Sequence, residues 1–392
     1  MPQAYLAHPR RTPLGSFGGS LAALTAVQLG AHAARAVLAA ADLDPAAVQT
    51  ALLGNVCSAG LGQAPARQVA LAAGLPHALP CTTVNKVCSS GMKAIALAAQ
   101  AVELGHIDVA LAGGFESMSN VPYYVPKARF GYKFGGGELV DGLQHDGLRD
   151  AYDEVAMGVA ADQTAAAEGI SREDQDAYTV RSYQRAAVKT ADGRLGAEIA
   201  PIEIPQRKGD ALVVDRDEEY TRVKFEKIPT LRPVFTPDGT VTAANASPIS
   251  DGAAAVLVVS EAALKAHGLT PIARIAGYAD AACAPMRFPL APTLAAPRAL
   301  DRAGVALGDI AVAEVNEAFA SVPIAFQRAL DLDPEIVNPN GGAVSLGHPL
   351  GTSGARIVNS LAHELALGGG RYGLAAICNG GGGASAMVLE RI

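Results

Sequence analysis

The chain has 392 residues, half of them apolar and 18% charged, with a net charge of −7. Such a length exceeds one ordinary core and suggests two or three domains. The acidic balance argues against a nucleic-acid surface, although a local basic patch for an anionic ligand stays open. Aromatics make up 5% and tryptophan is absent, which favours tightly packed small-residue helices on a sheet over an aromatic-rich barrel or sandwich.

The start, MPQAYLAHPRRTPLGSF, has no apolar leader, and no later run approaches 18 uninterrupted apolar residues, so a soluble cytoplasmic protein is expected. The helical stretch TAVQLGAHAARAVLAAADLDPAAV is followed by the short apolar run QTALLGNV. Next, the extended CTTVNKV leads into SSGMKAIALAAQAVELG, a helix with one polar stripe of Lys93, Gln100 and Glu103. Cys88 is therefore expected at or near a helix N-terminus, where free N–H groups and the helix dipole favour a thiolate. Its plain alternative is a small buried hydrophobe. The strand IDVALAGG closes this unit.

Residues 119–244 break the order. They open with turn formers and aromatics, NVPYYVPKARFGYKFGGGE, and continue with two helices, the second capped by Ser171 with Glu173 and Asp174 in its first turn. From Pro201 to Arg232, seven Lys/Arg mix with seven Asp/Glu. This segment reads as an inserted loop domain, a common place for substrate contacts. Afterwards the first pattern repeats: the helix TLAAPRALDRAGVALGDI, the strand AVAEVNEAFA, the helix GTSGARIVNSLAHELALGGG and the strand YGLAAICNGGGG. A duplicated α/β unit is predicted, each copy with a largely parallel buried sheet between helices. The domains are then an N-terminal half, 1–118, completed by about 245–268, an insertion, 119–244, and a C-terminal half, 269–392.

Five cysteines, widely spaced and odd in number, argue against a disulfide framework. No C-x-x-C, H-x-x-x-H or P-loop pattern occurs. Four places carry candidate chemistry: Cys88, Asn316 with Glu317, His348, and Cys378. Each lies at or beside a strand end, where open α/β sheets bind ligands. Each also has a structural reading. His348 can cap a turn, Cys378 can pack in a strand, and Asn316 can open a helix.

Together, NKVCSSGMKA, NASPISDGAA, VNEAFA, GGAVSLGHPLGTSGAR and CNGGGGASA resemble the thiolases in order, spacing and wording across essentially the whole chain. The nearest resemblance is to the acetyl-CoA acetyltransferase, or acetoacetyl-CoA thiolase, branch. It implies duplicated α/β/α layers with an inserted loop domain that binds coenzyme A (CoA). The implied activity joins two acetyl-CoA into acetoacetyl-CoA and CoA, or cleaves in reverse, through an acyl-cysteine. By resemblance Cys88 is the nucleophile, His348 its base, and Cys378 the base toward the second acetyl group. Asn316 would hold a water at the enolate oxygen, and the N–H groups of Cys88 and Gly380 would meet the tetrahedral intermediate.

Ser247, Met157, Leu148, Ala318 and Phe319 match pantetheine and apolar pocket positions. No cofactor is required beyond the CoA substrates. Some relatives use potassium, for which no site is assignable, and homotetramers, as dimers of dimers, are expected. One departure stands out: Ala156 replaces a histidine found in many short-chain members, which opens the wall to longer or branched acyl chains. A broader 3-ketoacyl-CoA thiolase of fatty-acid breakdown and a non-catalytic acyl-CoA binder are the alternatives. A decarboxylating condensing enzyme is disfavoured by the second cysteine. The S-x-x-K match at Ser90–Lys93 has neither a K-T-G nor a G-x-S-x-G companion.

Overall fold

A computed structural model describes residues 2–368 and 370–392. Nine strands form the spine of one large sheet: β1 (Ala4–Arg11), β2 (Thr50–Gly54), β3 (Cys81–Val84), β4 (Val109–Ser117), β5 (Ser250–Ser260), β6 (Pro271–Ala282), β7 (Ile310–Val315), β8 (Tyr372–Asn379) and β9 (Gly383–Arg391). Their spatial order is β7-β8-β9-β6-β1-β5-β4-β2-β3. The helices are α1 (Ala26–Ala41), α2 (Pro65–Ala72), α3 (Ser90–Glu103), α4 (Met157–Ala167), α5 (Arg172–Ala191), α6 (Glu261–His267), α7 (Pro292–Ala303), α8 (Ser321–Leu330), α9 (Ala343–Leu346) and α10 (Leu350–Leu367).

The duplication is explicit in the strand order. Running outward from the central antiparallel pair β1–β6, one side reads β1-β5-β4-β2 and the other β6-β9-β8-β7. The expectation of largely parallel halves is corrected: only β2–β3, β2–β4 and β7–β8 are parallel. The reason lies in the connections. Between β8 and β9 the chain turns in three glycines, with Gly381 and Gly382 at φ +81° and +84°, and so short a link permits only antiparallel pairing. Likewise, the insertion leaves at Ser117 and returns beside it at Asp251, so β5 runs back along β4.

Alternate side chains of these strands enter different cores. Ala110, Ala112, Val256 and Val258 face a central core with Ile95 of α3 and Ile357 of α10, while Val109, Leu111, Leu257 and Val259 pack with Leu29 and Val37 of α1. In the second half Ile377 and Met387 join the central core, and Leu374, Cys378 and Val388 join a third one with α7. Helices and sheet halves therefore stack in layers, with α3 and α10 in the middle.

Those two helices approach backbone to backbone. A Cβ on Gly91 would lie 2.7 Å from the Ala355 nitrogen, and one on Gly354 would lie 2.6 Å from the Met92 nitrogen. Only glycine permits such contact, and it brings the start of α3, beside Cys88, close to the start of α10, beside His348.

The insertion is anchored by buried polar groups. Arg11 bonds Glu198 through Nε at 2.6 Å and Asp217 through two nitrogens at 2.6 and 2.9 Å. Helix α5 begins with a reciprocal Ser171–Asp174 capping box. Its Tyr178 and Ser182 donate to Glu317 at 2.7 and 2.8 Å. Among the described residues no helix is long and apolar enough to cross a membrane.

Candidate active site

A cavity of about 560 Å³ opens where the two halves and the insertion meet. Of the ten residues given catalytic or pocket roles by the resemblance, eight line it: Cys88, Leu148, Met157, Ser247, Ala318, Phe319, His348 and Gly380. Asn316 and Cys378 lie behind its wall, each fully buried. Ala156 is also in the wall, and its small side chain leaves space there.

Cys88 sits two residues before the first residue of α3, on a loop fastened to the second half. Ser89 donates to Asn379 Oδ1 at 2.9 Å, and Ser90 Oγ accepts from the Lys86 N–H at 2.8 Å while donating to Val87 O. The backbone N–H groups of Gly380 and of Cys88 itself favour the thiolate form of Cys88. A helix start alone favours a thiolate, but here burial dominates. It pushes the Cys88 thiol up to about 12, against the lowering by the two N–H groups and with a further rise from Glu116. The resting nucleophile is thus a thiol and needs a base.

His348 has the form of one. Its Nδ1 lies 2.6 Å from Ser353 Oγ, which donates its own hydrogen to Pro349 O at 2.9 Å. The hydroxyl can then only accept from the ring, so Nδ1 carries the proton and Nε2 presents a lone pair. Nε2 is buried and has no partner among the described residues. Burial, reinforced by the nearby Arg356, lowers the imidazole to about 3, which keeps it neutral at rest.

Cys378 is the penultimate residue of β8, two residues before Gly380. Burial raises its thiol well above the ordinary range, and the neighbouring Cys88 raises it further. Asn316 follows β7, and its N–H donates to Ala376 O at 2.9 Å, which sets it beside the end of β8. Both polar atoms of its side chain are buried without a partner among the described residues. Such an amide is costly unless something bonds to it.

Its neighbour Glu317 is fully committed to Tyr178, Ser182, the Asn338 amide and the Val344 N–H, so it holds the loop in place. Ser247 Oγ donates to Ala318 O at 2.8 Å.

Several contributors escaped the sequence. Ser353 sets the histidine tautomer. Glu116 accepts from the N–H groups of Val56, Cys57 and Gly351 and from the Asn55 amide, clamping the first half to the start of α10. Burial lifts its carboxyl to about 7. Phe235 and Phe288 pack edge-on against Phe319 at 6.1 and 6.4 Å and build the apolar wall. Among the described residues the cavity lining has no Lys or Arg to meet a ligand's anionic portion.

Residues 4–262 match the family "Thiolase, N-terminal domain" and residues 269–391 match "Thiolase, C-terminal domain". The chain is 52% identical to a probable acetyl-CoA acetyltransferase of Dictyostelium discoideum, over 97% of this chain and 92% of the relative. It is 52% identical to the mitochondrial acetyl-CoA acetyltransferase of Bos taurus, over 97% and 90%. With the cytosolic acetyl-CoA acetyltransferase of Gibberella zeae it shares 49% identity over 100% and 99%. Among solved structures, the Acat5 thiolase of Ascaris suum in complex with coenzyme A superposes with a TM-score of 0.94 at 44% identity, covering all of both chains.

Proposed function

The chain belongs to the thiolase family, and from that premise we propose that it interconverts two acetyl-CoA with acetoacetyl-CoA and CoA by a ping-pong route through acetyl-Cys88. It is an acyltransferase acting on CoA thioesters. The observation that carries the mechanism is the pairing, in one cavity, of a buried thiol with an imidazole whose free Nε2 has no other partner.

In the first half-reaction the Cys88 sulfur attacks the acetyl carbonyl as its proton passes to His348 Nε2. The oxyanion rests on the N–H groups of Gly380 and Cys88. As the carbon–sulfur bond to CoA breaks, the leaving thiolate takes the Cys378 proton. Acetyl-Cys88, a Cys378 thiolate and an imidazolium remain. An imidazolium beside Arg356 is unfavourable alone, so it persists only opposite the new anion.

In the second half-reaction the Cys378 thiolate removes a methyl proton from a second acetyl-CoA. The enolate oxygen is met by the proton on His348 Nε2 and by a water held at the Asn316 amide. The enolate carbon then attacks acetyl-Cys88, and the departing Cys88 sulfur recovers its proton from His348. All protons return, and neither step calls for a metal or resident cofactor.

The pantetheine arm is assigned to the apolar channel past Met157, Leu148, Ala318, Phe319 and Ser247, with the nucleotide beyond the cavity against the insertion. A homotetramer in the cytoplasm is the proposed working state. Exposed Tyr123, Phe130, Phe134 and Leu139 on the insertion favour association, and sedimentation as a monomer would contradict it. Initial rates of acetoacetyl-CoA thiolysis at several CoA concentrations test the route. Parallel double-reciprocal lines are expected, and intersecting lines would exclude the acyl-enzyme. Acetoacetyl-CoA is expected to be cleaved faster than long 3-oxoacyl-CoA, whereas the reverse would favour a fatty-acid-degrading thiolase.

A further inference from the structure

The residue before the nucleophile is strained. Val87 has φ +47°, a left-handed conformation that a β-branched side chain strongly resists, and it lines the catalytic cavity. Something must hold it, and the contacts around Lys86 provide a candidate. The Lys86 ammonium donates to Asp280 Oδ1, Ala384 O and Ser385 Oγ, each at 2.8 Å, using all three of its hydrogens on β6 and β9 of the opposite half. Ser385 donates to the same Asp280 oxygen at 2.6 Å, and Lys93 of α3 holds the other at 2.7 Å. Burial raises the Asp280 carboxyl, but these bonds together outweigh it and draw it down to about 2, so the acceptor stays ionised. Strand β9 is the return strand of the glycine hairpin that carries Cys378 and Gly380.

We propose that Lys86 is a positioning residue that holds the strained Val87 turn and thereby fixes Cys88 against the Gly380 N–H and the catalytic histidine. The inference rests on Cys88 being the nucleophile. Lys93 provides an internal control, because it shares Asp280 but stands on the helix and not on the strained loop.

The experiment measures two rates in each variant: alkylation of Cys88 by iodoacetamide, and acetylation of Cys88 by acetyl-CoA, with thermal unfolding alongside. In Lys86→Met both rates are expected to fall by about tenfold or more, as for a displaced reacting group, with KM for acetyl-CoA nearly unchanged. In Lys93→Met both should stay within about twofold of wild type. Val87→Gly is expected to unfold at a higher temperature yet react more slowly, because the strain it removes is what aims the sulfur. Lys86→Met behaving like Lys93→Met, or Val87→Gly reacting at the wild-type rate, would overturn the proposal. Failure of the wild type to be acetylated would instead remove the proposed function, and the alkylation rates would still decide the role of Lys86.

Discussion

The two halves share one strand order and one helix plan, yet they contribute unequally to the site. The first half supplies a single thiol on a strained loop before α3. At the ends of its own strands and before its own central helix, the second half supplies Asn316, His348 and Cys378. The lesson is that duplication provides a symmetric frame with two central helix starts facing each other, and the chemistry depends on occupying the two differently. In the proposed mechanism one start carries the nucleophile and the other its base. In that mechanism two cysteines, both with raised thiols, do opposite work: Cys88, on the cavity surface, takes the acyl group, and Cys378, fully buried, moves the proton.

The sharpest way to separate the cysteines is Cys378→Ala. Its acetyl-Cys88 should still form and accumulate, while condensation falls about a thousandfold, within the range of a lost general base. Radiolabelled acetyl-CoA reads both steps, and normal condensation would abolish the distinction.

Next in size is Ser353→Ala, which frees the His348 tautomer. Acylation should fall about tenfold to a hundredfold, as when other histidine-orienting partners are lost, and rapid-quench mass spectrometry measures it. A smaller effect concerns the insertion's side of the cavity. Ala156→His should raise KM for a 2-methyl-branched 3-oxoacyl-CoA by about tenfold relative to acetoacetyl-CoA, the cost of a methyl-sized loss of space.

The smallest expected change is in pH. Because His348 is lowered to about 3, its neutral form persists, and the acylation rate should vary less than about twofold between pH 7 and about 5. Stability behaves differently. The unfolded chain protonates this histidine near 6.5 and the folded one only near 3, so its contribution is lost as pH falls through that window. Thermal unfolding of His348→Asn should show a smaller acid-side loss than wild type.

Much of this site was legible because its parts sit in short strings whose residues act locally. Cys88, His348 and Gly380 occupy strand ends and helix starts that sequence patterns locate well. The duplication was legible too, from repeated helix and strand order. Strand direction was not, since strands buried on both faces read as continuous apolar runs whichever way they point.

The thiolate expected at Cys88 failed for a related reason. A helix start shows in the sequence, whereas the burial that outweighs it depends on the other half and the insertion. Ser353 looks like an ordinary helix serine bonding back to the carbonyl four residues earlier, and only the fold places its oxygen against the imidazole. Phe235 and Phe288 reach Phe319 from distant stretches that no local pattern connects.

The central claim is that Cys88 carries an acyl group between two CoA molecules. Peptide mass spectrometry after brief incubation with acetyl-CoA tests it most directly, with wild type and Cys88→Ala compared. The predicted result is an acetyl adduct on the peptide containing Cys88 that is absent from the variant and disappears when CoA is added. No adduct in a wild-type protein that binds CoA, or an adduct on another residue that survives in Cys88→Ala, would contradict it.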